Sequence, residues 1–98
     1  METIKIKINN KIYNVLAARS EDEREQGLQN VVEMDNDEGC LFFHPEVEDV
    51  DYWMKDTYIP LDLIFIDDNK EVISVKQGKP ESEDLISEKD VKYVLELN

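Results

Sequence analysis

Tyr52-Trp53-Met54-Lys55-Asp56-Thr57-Tyr58-Ile59-Pro60-Leu61-Asp62-Leu63-Ile64-Phe65-Ile66 is the stretch on which the reading of this chain turns. It holds the only tryptophan, two of the four tyrosines and one of the three prolines. Leu61 to Ile66 reads as a strand, which puts Asp62 on the same side as Ile64 and Ile66, where an ionised carboxylate is costly without a partner. Val50 to Asp56 reads as the strand before it, with Thr57 to Pro60 as the loop of a hairpin. In that register Lys55 faces Asp62, Asp56 faces Leu61 and Trp53 faces Ile64, while Tyr52, Met54, Leu63 and Phe65 share the other surface. Directly opposed side chains are close enough for an ion pair.

Upstream, Ile4, Ile6 and Ile8 alternate with Lys5 and Lys7, the period of a half-buried strand. Asn9-Asn10 is a turn signal, since Asn tolerates positive φ, and a second strand follows from about Lys11 to Ala17. Ser20 with Glu23 three residues later has the spacing of a capping box, which predicts a short helix from about Glu21 to Gln29. Asp35 to Gly39 is a loop by composition, and Cys40-Leu41-Phe42-Phe43 reads as an interior strand ended by Pro45. Downstream, Asp67 to Lys70 reads as a tight turn, Glu71 to Lys76 and Val91 to Leu97 as strands, and Gly78 to Asp90 as a long polar loop. The expected architecture is mainly β. It is a small closed or partly open barrel or sandwich of about seven strands, with one short α-helix after the first hairpin plugging an end or face. Residues 1–98 are expected to form one compact domain.

Composition narrows the partners. The chain carries 24 Asp and Glu against 11 Lys and Arg, a net charge of −13. Nucleic-acid phosphate and an anionic membrane would be repelled, whereas a basic protein surface or a cation would not. The 41% hydrophobic content is enough for a core. Cys40 is the only cysteine, so neither an internal disulfide nor a cysteine metal cage can form. No apolar run approaches a membrane span, and the alternating start is no signal peptide. A cytoplasmic protein, or one packaged in an assembly, is the expectation.

The ordered set Gly27-Leu28, Gly39-Cys40-Leu41-Phe42-Phe43, Tyr52-Trp53-Met54-Lys55-Asp56-Thr57-Tyr58-Ile59-Pro60-Leu61-Asp62 and Tyr93-Val94-Leu95-Glu96-Leu97-Asn98 resembles the family called domain of unknown function 192. The resemblance spans nearly the whole chain, and the tryptophan segment is its specific part. It implies a mainly β barrel or sandwich with one short helix near the start, and exported relatives. It transfers no catalytic residue. The family pattern has methionine where this chain has Gln29 and Cys40, and asparagine where it has Asp56.

Trp53, Lys55, Asp56 and Asp62 are the candidate ligand or partner surface, with the indole as a stacking floor beside a lysine–aspartate pair. The plain alternative is a structural ion pair. Cys40 and His44 lie about 13 Å apart along one strand, too far for proton transfer, so Cys40 is read as core and His44 as a strand-end residue near the surface. Asp35, Asp37 and Glu38 have the wrong spacing for a calcium loop. No phosphate loop, zinc spacing or Ser-His-Asp set is present, so no catalytic residue, metal or cofactor is assigned. The leading expectation is a non-catalytic binding or accessory domain, with an unknown protein or small polar ligand as its partner, acting through the surface near Trp53. The alternatives are a structural subunit of a larger particle such as a virion, and a hydrolase or sugar-active enzyme using Asp62.

Overall fold

The computed structural model describes residues 1–98. The chain opens with β1 (Glu2–Ile8) and β2 (Lys11–Ala18), paired antiparallel through the Asn9-Asn10 turn. Both asparagines take positive φ, 47° and 68°, as a tight hairpin turn of this hand requires. Helix α1 (Glu21–Gln26) begins with the expected reciprocal cap. Glu23 N–H donates to Ser20 Oγ at 3.1 Å, and Ser20 N–H donates to Glu23 Oε1 at 3.0 Å. The helix stops at Gly27, three residues short of the predicted end, because Gly27 turns to φ +47°. A side chain there would also press on the Phe42 ring.

Next come β3 (Glu38–Tyr52), β4 (Leu61–Ile66), β5 (Val72–Gly78) and β6 (Ile86–Leu97). The six strands form one sheet in the order β1-β2-β3-β6-β4-β5, which is not closed. The β2–β3 pair is parallel, so its connection has to cross over, and that crossover carries α1. All the other pairs are antiparallel. The mainly β expectation holds, with six strands in place of about seven.

Four local expectations are corrected. Pro45 does not end a strand: Cys40–Phe43 and Val50–Tyr52 belong to one 15-residue β3. Its register with β6 jumps from Phe43↔Tyr93 to Glu48↔Val91, and Pro45 sits in that bulge, where a missing N–H costs no ladder bond. The predicted hairpin between Val50–Asp56 and Leu61–Ile66 does not form, because β6 lies between β3 and β4. The supposed long loop is shorter than expected, since β6 already begins at Ile86. The helix plugs nothing: no residue of α1 is buried, and the core contact on that side comes from Leu28 with Val31 and Met34.

The core lies against one face of the sheet. Cys40 and Phe42 from β3, Leu63 and Phe65 from β4 and Val91 and Val94 from β6 are almost wholly buried there, closed over by Leu28, Met54 and Ile59. The alternation of β4 places Leu61, Leu63 and Phe65 inward and leaves Asp62, Ile64 and Ile66 half-buried on the reverse. No helix is long and apolar enough to cross a membrane.

Candidate functional site

Glu96 breaks the apolar rule of that core. It lies on the inward side of β6, opposite Cys40 of β3 and Leu63 of β4, and is only 5% exposed. The backbone approaches closely here, since a Cβ at Gly39 would collide with the Glu96 carbonyl. Burial alone pushes the Glu96 carboxyl up to about 8, with neither a hydrogen bond nor a cation offsetting it. The group is therefore mostly a neutral acid at pH 7. It is one wall of an open cleft of about 650 Å³, within the size range of small-molecule sites.

Three other elements build the cleft. The end of α1 and the turn after it contribute Arg24, Gly27 and Gln29; β3 contributes Phe42, His44 and Tyr52; the loop after β3 contributes Trp53, Lys55 and Thr57. That loop is fixed at several points. Asn30 N–H donates to the Asp56 carbonyl at 2.8 Å, Met54 N–H to Ser82 at 2.9 Å, and Glu81 N–H to Thr57 at 2.8 Å. Met54 is fully buried and anchors the segment beside Gly78, whose missing side chain makes room for the thioether.

His44 is a correction to the sequence reading. It is 8% exposed within β3, with both ring nitrogens engaged. Nδ1 lies 2.8 Å from Glu48 Oε1 and Nε2 lies 2.8 Å from the Tyr52 hydroxyl. An ionised carboxylate only accepts, so the neutral ring donates from Nδ1 to Glu48 and accepts at Nε2 from Tyr52. Burial holds His44 below its ordinary value, with Glu48 pulling the other way. Burial, with Glu96 and Cys40 nearby, pushes the Tyr52 hydroxyl up. The Tyr52 ring is held edge-on by Phe42 and Phe65, at 5.2 and 6.1 Å between centroids. The Cys40 thiol is also pushed up by burial, so Cys40 is the core residue that was expected.

Of the four residues singled out in the sequence, Trp53 and Lys55 line the cleft. Trp53 is 45% exposed, and the Lys55 ammonium sits 5.3 Å from the centre of its ring. Asp56 is exposed at a positive φ of 57°, a conformation that Asp and Asn both tolerate, and it does not line the cleft. Asp62 lies in register with Gln77 and Leu97, and the expected Lys55–Asp62 pair is absent because their segments are not neighbours. The ion pairs of the structure are Arg19–Glu2 and Lys76–Glu88, and His44–Glu48 is a hydrogen bond that becomes one only when the ring is protonated.

Sequence reasoning missed Glu96, His44 and Tyr52 as a group. The signal for Glu96 was nonetheless present: an acid in the run Val94-Leu95-Glu96-Leu97 is as anomalous as Asp62.

The family comparison agrees with this geometry at the level of fold. The model of an uncharacterised ACR family, domain of unknown function 192, matches residues 3–98, and the chain belongs to that family. Two crystal structures are similar to it. One is a "putative transcription regulator" from Sinorhizobium meliloti, 39% identical, with a TM-score of 0.87 over 90% of this chain and 70% of that one. The other is a protein of unknown function from Novosphingobium aromaticivorans, 25% identical, with a TM-score of 0.88 over 98% of this chain and 71% of that one. No curated protein matches the chain.

Proposed function

We propose that this chain is a binding or accessory domain that takes a small polar ligand or a partner's side chain in the cleft beneath Trp53. The observation that carries the reading is Glu96, a residue almost wholly buried, its carboxyl unpaired by the protein and lining the cleft. A buried acid without a partner costs stability, and such a cost is met where a group serves a ligand. The half-exposed Trp53 ring lines the same cleft and supplies a flat apolar surface. Titration of the protein with a panel of small amines, sugars and carboxylates, followed by Trp53 fluorescence, tests this. A saturable change that is lost in Glu96→Gln is expected; no response from any probe overturns it.

A second reading, as a subunit of an assembly, is favoured by β5, an edge strand with Val72 and Val75 60% and 58% exposed. A native mass spectrum of one chain at all concentrations would count against it. The name of the Sinorhizobium meliloti neighbour raises DNA regulation for this chain as well, but a net charge of −13 opposes phosphate contact. The hydrolytic alternative on Asp62 has no support in the position of that residue, which is outside the cleft and apart from Lys55.

A further inference from the structure

We infer that the cleft selects an alkylammonium group, carried either by a small primary amine or by a lysine side chain, with the Glu96 carboxylate as its counter-ion and the Trp53 ring against its alkyl stem. This rests on the binding reading above and names the chemistry of the ligand.

The cleft is acidic, as a cation requires. Besides Glu96, five acidic side chains, Glu21, Glu25, Glu48, Asp49 and Asp51, line it, against two cations, Arg24 and Lys55. Arg24 is already committed, since Nη1 donates to the backbone carbonyls of Arg19 at 2.5 Å and Phe43 at 3.3 Å. Lys55 lies over the Trp53 ring at 5.3 Å from its centre, so the indole face is of a kind that holds an ammonium group. The inner end is different in kind from the acidic rim. Glu96 is almost wholly buried among the Cys40 thiol, the Tyr52 ring and Leu63, with no protein partner for its carboxyl, so a cation that reaches it meets an acid held in a largely apolar setting.

Other ligand classes fit less well. An anion would meet six carboxyl groups. No three of the His, Cys, Asp and Glu side chains converge as ligands for a metal ion. A neutral sugar would find the aromatic surface and could hydrogen-bond the protonated Glu96, but it would leave the acidic rim of Glu21, Glu25, Glu48, Asp49 and Asp51 unmatched. An ammonium group satisfies both ends, with a charge-assisted hydrogen bond inside and apolar stem contact at the mouth.

Entry of the cation ionises Glu96, so its proton leaves to solvent and the net charge of the complex is set by that exchange. The groups around Glu96 do not titrate in the same window. Burial holds Cys40 and Tyr52 of β3 protonated, and His44 is held neutral. From β4 the neighbour is Leu63. The remaining charges, Glu21, Arg24 and Glu25 of α1, Glu48, Asp49 and Asp51 of β3 and Lys55, form the rim.

The test is isothermal titration of the full chain with n-butylamine, and separately with a short peptide bearing one lysine. n-Butanol, butyrate and glucose serve as isosteric or alternative probes at matched ionic strength. Expected is binding of at least one ammonium probe, tightening close to tenfold per pH unit up to about pH 8 and flat above it. About one proton should be released per ligand at pH 6.5, read from buffers of different ionisation enthalpy. In Glu96→Gln the pH dependence should vanish and affinity should fall tenfold or more. Preference for the amine or for the peptide identifies the source of the ammonium group. Binding of glucose or butyrate in place of the amines overturns the ammonium inference and leaves the binding reading standing; binding of no probe overturns both. Amine binding without proton release or pH dependence overturns the role of Glu96, and needs no variant to show it.

Discussion

The Tyr52 hydroxyl lies 2.8 Å from His44 Nε2, and because Glu48 takes Nδ1 at the same distance the imidazole has no spare hydrogen-bonding atom. The two contacts act on its titration in opposite directions. Tyr52 donates to the lone pair of the neutral ring and stabilises it, whereas Glu48 stabilises the protonated ring. Tyr52→Phe should raise the titration midpoint of His44 and Glu48→Gln should lower it, both read from the imidazole carbon protons by NMR. Tyr52→Phe should also cost about 1 to 3 kcal/mol by leaving a buried nitrogen unpaired. Shifts of the same sign in both variants would refute the tautomer assigned here.

Glu96 makes stability depend on pH in an unusual sense. Its ordinary value is 4.5 and its folded value is about 8, so between them the folded protein holds a proton that the unfolded chain has lost. Its stabilising contribution is complete below 4.5, shrinks as pH rises, and is gone above about 8; across the window the change is on the order of a few kcal/mol. His44 works the other way, since its folded value lies below 6.5, and its effect is finished above that point. From pH 6.5 to 8, therefore, urea melts should show falling stability in the wild type and a much flatter profile in Glu96→Gln. A wild-type profile that rises over this interval would show that Glu96 is ionised in the folded protein.

Met54 and Gly78 should behave as a coupled pair. A Cβ at Gly78 would run into the Met54 sulfur, and Met54 has no exposed surface. Gly78→Ala is expected to destabilise by about 1 to 3 kcal/mol through overpacking. Met54→Ala should cost about 2 to 5 kcal/mol through its cavity. The double variant should cost less than the sum, because each change relieves the other. Strict additivity in a denaturant cycle would separate the two residues.

Trp53 and Asp62 should both be tolerant positions for stability. Trp53 is nearly half exposed, and Asp62 is half-buried with no ion pair. Trp53→Ala should cost about 1 kcal/mol or less, far below the value for a core aromatic, and Asp62→Asn should stay within about 0.5 kcal/mol. A loss of several kcal/mol at Trp53 would return the indole to the core.

Local signals in the sequence translated well. The asparagine turn, the Ser20–Glu23 cap, the tight turn at Asp67 and the inward set of β4 all rest on neighbours within a few residues. The partition of Tyr52, Met54, Leu63 and Phe65 onto one side also holds, although the strand pairing used to derive it does not. What failed was non-local. Adjacency along the chain favours pairing β3 with β4, whereas β6 enters from far along the chain and takes the place between them. Pro45 is a stop signal by residue type, and only the extra length of β3 against β6 shows that a bulge absorbs it. The site was half legible. Trp53 and Lys55 declared themselves by composition, but Glu96, His44 and Tyr52 converge only through the β3–β6 register and the bulge between them.

The position of β6 also has a consequence for biosynthesis. β6 leaves the ribosome after the other five strands of the sheet, yet it is the one that joins β1-β2-β3 to β4-β5. Until it arrives, the nascent chain has two separate fragments with raw edges, and no vectorial, strand-by-strand route to the finished sheet exists. Folding must therefore be a late, concerted event, exposed until then to chaperones and proteases.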